Sequence, residues 1–140
     1  EQPLPLYGDG MQVRDWLYVE DHCSGIDVAL HKGEAGGVYN LGGGNERTNI
    51  DVTKQLLELL KKPESLIAPV QDRAGHDRRY ALDCTRLHSL GWEPAHSFED
   101  ALEATVRWYQ QNEWWWRPIK SGEFKEYYQQ QYGERLSAQP

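Results

Sequence analysis

Between Met11 and Val19 the chain reads MQVRDWLYV, where apolar and polar positions alternate and Val13, Trp16 and Tyr18 are β-forming types, so a strand is predicted. From Asp21 the apolar spacing becomes helical. Cys23, Ile26, Val28 and Leu30 fall mainly on one side, and Gly33 supplies a stop. Ahead of this unit, residues 1–10 read as an extended edge segment around Leu4, Leu6 and Tyr7 that turns at GDG. Behind it the strand-helix order repeats. VYNLGGG is a short, buried-looking strand ending in glycines, and TNIDVTKQLLELLKK is an amphipathic helix with Thr48 or Asn49 as cap and Pro63 just beyond its end. LIAPVQD is a third extended run, weakened by Pro69. Asp83 is placed to cap a short helix through TRLHSL, closed by Gly91. Ser97 with Asp100 resembles a capping box, and it opens FEDALEATVRWYQQN, where Phe98, Leu102, Val106 and Tyr109 keep helical spacing. After residue 113 aromatics and glutamines take over, which predicts a loosely attached helix or tail with disorder in its last few residues. The alternation gives an α/β chain with short strands and too few βα units to complete a doubly wound sheet.

Composition narrows this picture. A chain of 140 residues holds one ordinary domain or one piece of a larger one, and 39% hydrophobic residues with six tryptophans and eight tyrosines leave no case for disorder. The net charge of −7 argues against a protein that grips nucleic acid, so the arginines must act locally. Cys23 and Cys84 stand apart with no CxxC pair, as in a reduced protein. No run approaches the roughly 18 apolar residues of a membrane span, and EQPLPLYGDG lacks the regions of a signal peptide, so a cytoplasmic protein without membrane contact is expected. The histidines and cysteines show no zinc spacing, and no metal is expected.

The chemistry concentrates in DRAGHDRRYALD, residues 72–83. Guanidinium forks match phosphate oxygens, glycine lets backbone approach a ligand, and histidine can bond a sugar hydroxyl. The same arginines can equally neutralise Asp72, Asp77 and Asp83 in an internal ion-pair network. Arg14, set in an apolar strand, needs either a ligand anion or a carboxylate such as Asp15, Glu20 or Asp21. GGGNERTN has neither the Gly-x-Gly-x-x-Gly register nor a Lys-Ser/Thr pair, so it reads as a turn before a capped helix. No Ser-His-Asp arrangement is defensible. The EWWW stretch lacks the basic interleaving of a base-stacking platform and suits packing against the body or a partner.

Taken together, PLPLYGDGMQVRDWLYVEDHC, VYNLGGGNERTN, DRAGHDRRYALD, LGWEP and FEDALEATVRWYQQNEWWW resemble the C-terminal part of the dTDP-glucose 4,6-dehydratases. These belong to the extended short-chain dehydrogenase/reductase, or NAD-dependent epimerase/dehydratase, superfamily. The resemblance covers nearly the whole chain. VEDH is shared with nucleotide-sugar epimerases generally, whereas RDWLYVEDH, DRxGHDRRYA and the WYxxNxWWW ending are more specific. It implies a small α/β substrate-binding lobe of short strands and about four helices, with the Rossmann half absent. Residues 1–112 would form the nucleotide-sugar lobe and 113–140 its aromatic-rich C-terminal helix or tail.

By motif position the resemblance gives Pro5, Leu6 and Tyr7 to the nucleotide base and Arg14 to the diphosphate region. It gives Asn49, Asp72, Arg73, Ala74, Gly75 and His76 to the nucleotide end of the substrate. Ala74 replaces the usual proline, which implies a looser loop before binding. Arg14 and Arg73 are then expected to face the diphosphate of a thymidine-diphosphate sugar such as dTDP-glucose, while Arg78 and Arg79 pair internally with Asp77 or Asp83. The full-length enzymes use NAD and a Tyr-x-x-x-Lys pair to form the 4-keto-6-deoxy sugar. Neither the NAD fingerprint nor that pair occurs here, so no catalytic or cofactor-binding residue is assigned to this chain. The missing Rossmann half is its expected partner, with self-association through the surface left exposed. Two other readings are a standalone nucleotide-sugar binding or regulatory module and an interaction domain built on Trp114 to Trp116.

Overall fold

Two prolines mark the first pair of strands: Pro5 in β1 (Leu4–Tyr7) and Pro69 in β4 (Ile67–Val70). In the computed structural model, which describes residues 2–120 and 123–137, these strands pair in parallel with Leu4 opposite Ile67 and Tyr7 opposite Val70. Each strand is an edge of a two-stranded sheet, so a missing N–H is tolerated. Period-two alternation sends Leu6, Ala68 and Val70 into the core. The chain separates into two units whose segments interleave along the sequence.

The first unit takes residues up to Met11, Asn49–His76 and the chain from Glu103 on. Its core is completed by Val52 and Leu57 of α2 (Asn49–Leu59). Helix α2 closes with Lys61 at φ 53°, a left-handed place usually given to glycine, and the Lys62 amide donates to the Leu57 carbonyl at 2.8 Å. The unit also holds the C-terminal part of α4 (Phe98–Gln111), then α5 (Glu113–Lys120) and α6 (Glu123–Ser137). The described part of the aromatic tail is thus two helices, and the disorder expected for its last few residues concerns 138–140, which lie outside the described residues. Helix α6 lies against β4 and touches α5, while Trp114 and Ile119 of α5 stay exposed.

The second unit takes Gln12–Thr48 and Asp77–Leu102. Here β2 (Val13–Asp15) runs antiparallel to β3 (Glu46–Thr48). On its other side Val13 bridges to Arg79, donating to the Arg78 carbonyl at 2.8 Å and accepting from the Tyr80 amide at 3.1 Å. Helix α1 (Val19–Lys32) forms, but the face it buries carries Asp21 and Gly25, while Val19, Cys23, Ile26 and Leu30 remain exposed. Gly25 is needed there. A Cβ on it would stand 2.6 Å from Leu41 Cδ1 and 3.1 Å from Trp92, so the bare backbone lets α1 come close.

VYNLGGG is not a strand. Val38 is 77% exposed, and the carboxylate of Asp15 takes the Asn45 amide at 2.9 Å instead of leaving it for a ladder, so the strand starts only at Glu46. The short helix α3 (Thr85–His88) follows an Asp83 carboxylate that accepts the Thr85 amide at 2.9 Å, and Leu87 is fully buried. Ser97 opens α4 by accepting the Asp100 amide at 3.1 Å while donating its hydroxyl to the Asp100 carboxylate at 2.7 Å. Six α-helices and four short strands are present among the described residues, an α/β fold.

Candidate functional site

Because β1 and β4 run parallel, both strands deliver their next residues to the same end of the first unit. This is where parallel sheets habitually receive ligands. The Gly8 amide extends the pairing by donating to the Val70 carbonyl at 2.9 Å. The chain then turns through Gly8 (φ 56°) and Gly10 (φ 70°), and the Gly10 carbonyl accepts the Ile50 amide at 2.9 Å, which fixes Asn49 and the start of α2 at this turn. Gly8 has a second constraint: a Cβ there would lie 3.0 Å from the Asp72 carboxylate.

Asp72 organises the loop that follows β4. Its Oδ1 accepts the Arg73 amide at 2.9 Å and the Nδ1–H of His76 at 2.6 Å, and the His76 amide turns back to the Arg73 carbonyl at 3.3 Å. Gly75 at φ 69° makes the reversal without strain. The His76 side chain is only 5% exposed, and its ring meets the Tyr7 ring edge-on at 5.8 Å. The Arg73 guanidinium stands over the same Tyr7 ring at 5.9 Å. Among the described residues no carboxylate comes within ion-pair distance of Arg73, so its charge is held by an aromatic face and a turn and is left unneutralised.

The first unit therefore gathers Pro5, Tyr7, Asn49, Asp72, Arg73, Ala74, Gly75 and His76 at one end. Leu6 differs in kind: its side chain is buried in the core. Ala74 is exposed at the loop tip. Sequence reasoning missed Gln131 and Tyr132 of α6. The Gln131 amide donates to the Tyr7 hydroxyl at 3.2 Å, and the Tyr132 ring lies 6.1 Å from the Tyr7 ring. Their only signal was the i, i+3, i+4 spacing of Tyr128, Gln131 and Tyr132.

Arg14, Arg78 and Arg79 belong to the second unit. Arg14 donates to the carbonyls of Val13 at 2.7 Å and Asp77 at 3.0 Å and stacks on the Tyr80 ring at 4.3 Å. Arg79 does not take Asp77 or Asp83. It forms a two-pronged pair with Glu46 on β3 at 2.6 and 2.7 Å, because its bridge to Val13 sets it beside that strand's neighbour. The hydrogen bonds that Arg79 donates hold the Glu46 carboxyl below its usual range, and donating them to Glu46 pushes the guanidinium up. Asp77 accepts the Tyr80 hydroxyl. Asp83 is held low by its hydrogen bonds from Thr85, and burial pushes the Cys84 thiol up.

The glycine run does not fit a dinucleotide. The backbones of Gly42 and Gly43 pack where a Cβ would strike the Asp15 carboxylate and the Trp16 carbonyl, so a pyrophosphate placed against them would meet negative oxygens.

The family model described as GDP-mannose 4,6 dehydratase matches residues 1–105. The dTDP-glucose 4,6-dehydratase of Xanthomonas campestris pv. campestris is 48% identical over 134 residues, covering 89% of this chain and 38% of the relative. A crystal structure of dTDP-glucose 4,6-dehydratase from Bacillus anthracis, in complex with NAD, superposes with a TM-score of 0.79 at 54% identity, covering 85% of this chain and 38% of that one. The enzyme of the same name from Streptomyces venezuelae, solved with NAD bound, gives a TM-score of 0.81 at 48% identity over 85% of this chain and 37% of that one. The chain thus spans about 38% of the length of the curated relatives it matches.

Proposed function

This chain belongs to the GDP-mannose 4,6 dehydratase family, and from that premise we propose that it is the nucleotide-sugar-binding portion of a dTDP-glucose 4,6-dehydratase. The thymidine diphosphate end of the substrate is received where β1 and β4 end. Pro5, Leu6 and Tyr7 run along the base, and the Asp72–His76 loop covers the diphosphate side.

The observation that carries this reading is Arg73, whose guanidinium stands over the Tyr7 ring with no carboxylate at ion-pair distance among the described residues. A guanidinium with no carboxylate at ion-pair distance favours a diphosphate, to which it would donate charge-assisted hydrogen bonds. Asp72 would repel that anion if its carboxylate faced it. Instead its Oδ1 is engaged by Arg73 N–H and His76 Nδ1–H, so it shapes the loop and the two donors spread its charge.

The reaction proposed for the whole enzyme is conversion of dTDP-glucose to dTDP-4-keto-6-deoxyglucose with loss of water. The residues of this chain bind and orient the substrate. NAD supplies the redox chemistry in the named relatives' class of reaction, and since the glycine run here does not suit it, we assign its site to the part of the relatives that this chain does not span. Calorimetric titration of dTDP into the purified protein and its Arg73→Ala variant tests the reading. Loss of charged hydrogen bonds predicts roughly 10- to 100-fold weaker binding. Equal affinity in the two proteins, with unchanged melting temperature, would overturn the placement of the diphosphate.

A further inference from the structure

We infer that α6 is a positioning element for the nucleotide, acting on Tyr7 through Gln131 and Tyr132. The inference rests on the site proposed above, since it assigns α6 a role only in binding at Tyr7. Helix α6 turns one face inward: Tyr128, Gln131 and Tyr132 are half-buried, while Glu126, Tyr127, Gln129 and Gln130 around them are exposed. Three contacts tie that face to β1 and the residues before it. The Tyr128 hydroxyl donates to the Pro3 carbonyl at 3.0 Å, and Gln131 Nε2 donates to the Tyr7 hydroxyl at 3.2 Å. The Tyr132 ring packs 6.1 Å from the Tyr7 ring and 5.1 Å from that of Tyr128.

The Tyr7 ring also meets the His76 ring and the Arg73 guanidinium. One ring is therefore shared between α6 and the loop that offers its donors to the anion. A tyrosine at the end of a two-stranded sheet has two side-chain torsions to fix. The Gln131 bond holds the hydroxyl and Tyr132 flanks the ring, so the freedom lost on binding is lost beforehand. Helix α6 thereby sets the position of Arg73 through a residue that is not itself charged.

The test is calorimetric titration of dTDP into the purified protein and the variants Gln131→Ala, Tyr132→Ala, Tyr7→Phe and Tyr7→Phe/Gln131→Ala, each with its melting temperature. Gln131→Ala is expected to weaken dTDP binding about fivefold, the worth of one neutral hydrogen bond. In the Tyr7→Phe background the same change is expected to do nothing further, because its acceptor is gone. Tyr132→Ala removes the ring that flanks Tyr7 and is expected to weaken dTDP binding as well. If Tyr132→Ala fails to fold, the Tyr7/Gln131 cycle still decides. Wild-type affinity in Gln131→Ala, or an equal loss with and without the Tyr7 hydroxyl, would overturn the role of α6 and leave the site reading standing. Absence of dTDP binding by the folded wild type would overturn the site reading itself.

Discussion

Asp21 is a buried carboxylate of the second unit that joins two of its segments. It is 3% exposed, yet its carboxylate accepts the Ala95 amide at 3.0 Å, the His96 amide at 3.2 Å and His96 Nδ1–H at 2.9 Å, tying α1 to the segment before α4. Burial by itself would raise its pKa, but the hydrogen bonds from His96 and Ala95 and the His96 charge outweigh it and hold the carboxyl below its usual value. Asp21→Ala leaves two backbone amides without an acceptor and is expected to destabilise the fold by about 3 kcal/mol, read from denaturant midpoints. A depressed folded pKa contributes stability that is present above the unfolded value of 3.8 and lost as pH falls through the folded one. The melting temperature is therefore expected to fall below about pH 4, and Asp21→Asn is expected to lower it at neutral pH while flattening that acid decline. Single residues also show the limit of sequence reading. The arginine cluster at 72–83 was visible at once, but not its division: Arg73 is left to a ring, while Arg79 is neutralised by Glu46, 33 residues away and outside any local window.

At the scale of elements, local signals worked where local physics decides. The amphipathic period of α2, the Ser97–Asp100 cap of α4 and the GDG turn are all set by neighbours in sequence, and all were legible. VYNLGGG misled because its apolar residues suggested a strand whose ladder partner never arrives. The glycines instead bring the backbone onto Asp15 and Trp16. Helix α1 misled in the opposite sense: its buried face rests on a glycine and a carboxylate, which no hydrophobic pattern reports. Two substitutions follow from backbone geometry. Lys61 occupies a left-handed conformation at the exposed end of α2, so Lys61→Gly is expected to stabilise the protein by about 0.5–1 kcal/mol. Gly10→Ala should do the reverse, since φ is 70° and a Cβ would meet Leu6 at 2.6 Å and Ile50 at 2.9 Å, costing about 2 kcal/mol in strain and overpacking. Thermal or denaturant unfolding of both variants checks these signs.

At the scale of the whole chain, the arrangement that makes the proposed site is long-range. Tyr7 and Arg73 come together because β1 pairs with β4, whose residues lie some sixty positions later, and α6 reaches the same ring from farther still. Periodicity could not announce that pairing; only the family resemblance carried it. It implies one site from Tyr7, Asn49 and the Asp72–His76 loop and is silent on Gln131 and Tyr132. The interleaving of the two units was equally invisible, since three segments of one unit are separated by two of the other. The central claim is that the β1–β4 end takes a thymidine diphosphate. It is tested most directly by titrating dTDP-glucose, UDP-glucose and GDP-mannose into the same purified protein under the same conditions. The account predicts that dTDP-glucose binds tightest, by about tenfold or more, and that Arg73→Ala removes that preference by weakening its binding. Tighter binding of GDP-mannose, or binding indifferent to Arg73, would contradict it.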